Sequence, residues 1–87
     1  MKTHLIDGYN VTVITDAGLT AGAKTLHDIA PNTNPMIAEL ILNMVRSDWS
    51  QGHEDRVEKH LMQVVDLTGA KRVLIAMLVA SGATTVL

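Results

Sequence analysis

The stretch "AKRVLIAMLVASGATTVL", residues 70–87, decides how the rest of the chain is read. Its apolar block, residues 73–80, suits a buried helix or a buried strand equally well by length and hydropathy. Ala76, Met77, Leu78 and Ala80 favour helix, whereas Val73, Ile75 and Val79 favour strand. Ser81 and Gly82 would end either element. We take the block as a helix, which leaves residues 84–87 for a short final strand.

Upstream, "SQGHEDRVEKHLMQVVDLTG" (50–69) reads as one amphipathic helix after a break at Gly52, with Val57, Leu61, Val64 and Val65 facing inward. Glu54 and Asp55 lie at the positive end of its dipole. "NTNPMIAELILNMVRSDW" (32–49) carries the clearest helix signal. Asn34 is a good N-cap, and Pro35 suits the first helical position, where no amide donor is missed. Met36, Ile37, Leu40, Ile41, Met44 and Val45 form a broad apolar face that Ala38, Leu42 and Trp49 widen further. Such a helix belongs at the centre of a fold or in an interface. "DAGLTAGAKTLHDIAP" (16–31) is a weaker helix, softened by Gly18 and Gly22, capped by Thr20 and stopped by Pro31. Residues 2–15 alternate β-branched side chains, and Asp7 and Gly8 form a favoured two-residue hairpin turn. That turn sets His4 against Val11 and Ile6 against Tyr9.

Composition narrows the function. With 87 residues the chain makes one small domain, 1–87. It has no cysteine, which rules out disulfides, thiolate zinc sites and a thiol nucleophile. A net charge of −2 and the lack of any basic stripe argue against a nucleic-acid footprint. One Trp, one Tyr and no Phe cannot build a base-stacking platform. The longest apolar run is far shorter than the ~20 residues of a membrane helix. The N-terminus lacks a long apolar core, so no signal peptide is expected and the cytoplasm is the expected compartment.

The motifs point weakly to chemistry. "LIDGYN" (5–10) resembles the first-strand motif of the NYN branch of the PIN-like ribonucleases. The resemblance implies a metal-dependent ribonuclease in which Asp7 helps hold the metal and Asn10 supports the site. It covers six residues. Metal-assisted phosphodiester cleavage requires several converging carboxylates. The natural companion strand, 73–79, would end at Ala80, Ser81 and Gly82 with no acid. "DAGLTAGAKT" has glycines too closely spaced for a phosphate loop. His53 and His60 would lie about 10.5 Å apart along one helix, too far for one metal, so surface histidines are expected. A helix-turn-helix drawn over 25–46 would offer a groove Met, Ile, Leu and Val instead of polar side chains.

Excess apolar surface is therefore the most informative feature. Residues 36–49 and 73–80 are apolar nearly all round, and a domain this small buries two such helices with difficulty. The expected fold is α+β, an N-terminal β-hairpin with a short C-terminal strand packed on three to four helices. The expected function is a small non-catalytic protein-binding module, an inhibitor or adaptor of a larger complex, acting as a homodimer. Met36, Leu40, Met44, Trp49 and Tyr9 are its candidate contacts. No catalytic residue, metal or cofactor is expected. A reduced ribonuclease centred on Asp7 is the first alternative, and a helix-turn-helix regulator the second.

Overall fold

The computed structural model describes the backbone of residues 4–6, 9–11 and 13–85, and the side chains of residues 13–83. Among these residues there are four helices: α1 (Asp16–Ile29), α2 (Pro35–Ser50), α3 (Glu54–Leu61) and α4 (Leu67–Ala80). Residues 73–80 lie in α4, so the decisive stretch is helical. The strand that would have run parallel to residues 4–7 as the nuclease's companion is therefore absent.

The expected α+β architecture is overturned. The domain is built from helices packed chiefly on one another, α1 on α4, α2 on α3, α1 on α2 and α3 on α4. The described core is Leu26, Ile41, Leu42, Val45, Trp49, Val57, Leu61, Ala70, Val73, Leu74, Met77 and Leu78, all helical, together with Ile14 just before α1. The described β pairing is confined to segments of two or three residues. His4–Ile6 (β1) runs antiparallel to Tyr9–Val11 (β2), and β2 to Thr84–Thr85 (β3). These segments do not form the layer on which the helices pack, as an α+β fold requires. Dihedral preference in the β-branched N-terminus is real, but it cannot outweigh the apolar area that four helices bury. The turn expected at Asp7 and Gly8 lies outside the described residues.

Local chemistry sets the helix ends. Asn34 accepts a hydrogen bond from the Met36 amide at 2.8 Å and Pro35 opens α2, as the sequence predicts. The start of α1 is earlier than expected. Thr15, not Thr20, is the N-cap, accepting from the Gly18 amide at 3.2 Å. Thr20 sits inside the helix and donates its hydroxyl to the Asp16 carbonyl. The amphipathic helix expected over 50–69 is two elements. α3 stops at Leu61, and Asp66 starts α4 by accepting from the Gly69 amide at 2.7 Å.

Gly18 and Gly22 are not weak points of α1. They share one face, four residues apart, and α4 lies against it. A Cβ on Gly18 would meet the Ser81 hydroxyl, and would lie 2.7 Å from the Met77 carbonyl oxygen; one on Gly22 would lie 2.5 Å from Met77 Cγ. Gly69, near the start of α4, would place a Cβ 3.0 Å from Val65 Cβ, with Ile29 of α1 in ordinary contact at 3.5 Å. The start of α1 thus meets the end of α4, and its end meets the start of α4, so the pair is antiparallel. Ser81 closes the contact: its hydroxyl accepts from the Thr15 amide at 3.0 Å and donates to the Met77 carbonyl at 2.7 Å.

This packing sets the sign of one substitution. Gly→Ala in an exposed helix stabilises by about 1 kcal/mol. Gly18→Ala should instead destabilise by about 1–3 kcal/mol, because the added methyl overpacks against backbone. Thermal unfolding should show a fall of several degrees, at about 4–8 °C per kcal/mol for a domain of this size. A rise in midpoint would refute the close α1–α4 approach.

Candidate interaction surface

Both strongly apolar helices find different solutions. α4 buries Ala70, Val73, Leu74, Met77 and Leu78 completely and leaves Val79 and Leu67 as its large exposed apolar residues. α2 does not. Ile41, Leu42, Val45 and Trp49 point into the core, whereas Met36 (75% exposed), Ile37 (49%), Leu40 (63%) and Met44 (39%) face outward. At 100° per residue these four span one arc of the helix, opposite the buried four. No charged residue falls within that arc; Ser47 is its one polar member.

The candidate contacts therefore divide. Met36, Leu40 and Met44 form one continuous stripe, and Ile37, named in the sequence only as part of the broad apolar face, joins them. Trp49 is fully buried in the chain's own core and cannot serve as a surface anchor. Its position follows the inward side of α2, which the sequence could not separate from the outward side because both are apolar. The side chain of Tyr9 lies outside those described, as does Asp7.

A second feature flanks α2. An open cleft of about 440 Å³ lies between α1 and α2. Its floor includes Leu19, Leu26 and Leu42, and its rim carries His27, Glu39 and Asn43. Small residues at the crossing, Ala23, Ala30 and Ala38, leave the gap open. Glu39 and Asn43 separate it from the stripe. The Asn43 amide is engaged with the Glu39 carbonyl at 2.8 Å.

On the other flank, Asp48 of α2 and His60 of α3 lie 2.6 Å apart, Oδ2 to Nε2, and both are partly buried. His60 is thus a structural partner, not the solvated surface histidine expected. Twelve residues and a helix break separate the two, so no periodicity reveals the pair. The hydrogen bond from His60 holds the Asp48 carboxyl below its usual range; desolvation opposes this, and the charges of His60, Arg56 and His53 reinforce it. His53 itself stands at the start of α3 without a side-chain cap bond. Among the described residues no group of three or more His, Cys, Asp or Glu could hold a metal ion. Likewise, no described helix is long and apolar enough to cross a membrane.

The Asp48 shift has a signed consequence. Its folded pKa lies below its unfolded one, so its stabilisation is present above about pH 4 and disappears as pH falls through the folded value. Urea midpoints should show wild type more stable than Asp48→Asn at pH 5, with the difference vanishing in strong acid. An equal difference at every pH would mean that the carboxylate charge contributes nothing. Compared with family models, curated proteins and solved structures, the chain matches none of them.

Proposed function

We propose that the chain is a small non-catalytic protein-binding module that works as a homodimer, the kind of protein that inhibits or adapts a larger complex in the cytoplasm. One observation carries this reading: the exposed stripe of Met36, Ile37, Leu40 and Met44. The core is complete without these side chains, so folding gives no reason for four large apolar residues in water. A patch on the order of 400 Å² matches the size of functional patches on small proteins. Methionine is well suited to such a surface, since its flexible thioether adapts to a partner's shape. The absence of cysteine fits a reducing compartment. The cleft beside α2 faces away from the stripe, so a dimer formed through the stripe leaves it free for a second protein.

Sedimentation velocity tests the reading. The wild-type chain should shift from monomer to dimer as its concentration rises through the micromolar range. Leu40→Glu should hold it monomeric at every concentration, with unchanged helical circular dichroism, because a charge buried in an apolar contact loses its hydration without compensation. A wild-type chain that stays monomeric throughout would remove the reading's main support.

A further inference from the structure

The chain's thioethers divide sharply by exposure. Four methionines have described side chains, Met36, Met44, Met62 and Met77. Met36 is 75% exposed, Met62 48% and Met44 39%, whereas Met77 is completely buried. Met77 is packed against Gly22 without room for one more carbon, since a Cβ there would lie 3.0 Å from its Sδ. Met36 and Met44 stand about 12 Å apart along the outward arc of α2, one on each side of Leu40. Two of the four large apolar side chains of the stripe are therefore thioethers in contact with solvent. Met62, at the end of α3, is a thioether of similar exposure outside the stripe. The chain has no cysteine, so no thiol competes for an oxidant.

We propose that Met36 and Met44 are oxidation sites at which a peroxide turns the α2 stripe polar without unfolding the domain. A sulfur lone pair attacks one oxygen of hydrogen peroxide, the O–O bond breaks and an S–O bond forms. The departing oxygen takes the proton of the transferred one and leaves as water. Sulfur is oxidised by two electrons and the peroxide is reduced by two. The product, methionine sulfoxide, is polar where the thioether was apolar. The core keeps its packing, because Met77 meets the oxidant only when the core opens. The stripe changes character: half of its large apolar side chains become polar, and any contact that buries them must desolvate a sulfoxide. The chemistry at the two sulfurs follows from their exposure; its effect on self-association rests on the dimer reading above.

Dilute hydrogen peroxide on the folded wild-type chain, followed by peptide mass spectrometry, tests the proposal. Met36, Met44 and Met62 should each gain one oxygen at least about tenfold faster than Met77, which should react readily only in urea. Helical circular dichroism should stay unchanged, and the oxidised chain should elute earlier from a phenyl column. Leucine keeps the volume and helix preference of methionine. The double variant Met36→Leu, Met44→Leu should lose most of the elution shift, whereas Met62→Leu should retain it. In sedimentation velocity, oxidation should raise the wild-type dimer dissociation constant about tenfold or more and leave that of the double variant unchanged. Oxidation of Met77 at the rate of Met36, loss of helical signal as Met36 and Met44 react, or an elution shift that depends on Met62 would each overturn the proposal. A dimer indifferent to complete oxidation would overturn the stripe as its contact. A wild-type chain monomeric at every concentration would overturn the dimer reading alone, with the elution shift still deciding the oxidation sites.

Discussion

The close approach of α1 and α4 is the constraint on which the rest of the domain depends. Two glycines of α1, Gly18 and Gly22, remove the side chains that would hold the two apart. Dispersion contacts are individually small and fall off steeply with distance, so shortening the separation strengthens every contact along the pair. The pair is antiparallel, and its dipoles oppose favourably at each end. Ser81 bonds at once to the Thr15 amide and the Met77 carbonyl, so the polar groups at one junction are satisfied inside the contact. An unsatisfied buried amide there would cost about 1–3 kcal/mol.

Everything else is arranged around that pair. Packed between α1 and α3, α4 buries Ala70, Val73, Leu74, Met77 and Leu78 and leaves Leu67 and Val79 exposed. α2 is comparably apolar but lies at the edge of the arrangement, with α1 and α3 as its neighbours. It has one face to bury and two apolar faces to place. The outward stripe results from supplying a peripheral position with a helix of central composition.

What could be read from the sequence follows from how local each signal is. The N-cap and first-turn proline of α2 act within three residues, and they stand where the sequence puts them. The helical state of residues 73–80 was legible because Ala, Met and Leu outweigh three β-branched residues in an apolar block. The fold class was not legible. Alternating β-branched residues before Thr15 suggested a sheet layer, whereas the helices formed the core among themselves. Gly18 and Gly22 looked like helix weakeners because their value lies in their contacts with Met77 and Ser81, about sixty residues on. The break between α3 and α4 was missed for a related reason: Val64 and Val65 kept the apolar period going, and Asp66 gave no sign of ending one helix and capping another. Within the surface, Met36, Leu40 and Met44 were picked out by composition. Trp49 was grouped with them because periodicity cannot orient a helix that is apolar on both sides.

The outward direction of the stripe follows from the burial of Ile41, Leu42, Val45 and Trp49, and polar contacts flank α2 on both sides. Arg46 reaches Asp16 of α1 at 2.9 Å on one side, and Asp48 reaches His60 of α3 at 2.6 Å on the other. At 100° per residue, Arg46 and Asp48 stand on opposite edges of the helix, with the stripe on the solvent arc between them and Ile41, Leu42, Val45 and Trp49 on the inner arc. The exposed Arg46–Asp16 pair contributes little to stability by itself. Rotating α2 to hide Met36 and Leu40 would break both contacts, and would bring Asp48 or Arg46 toward the core, where burying an unpaired charge is strongly unfavourable. The domain therefore cannot bury the stripe by small adjustments of its own.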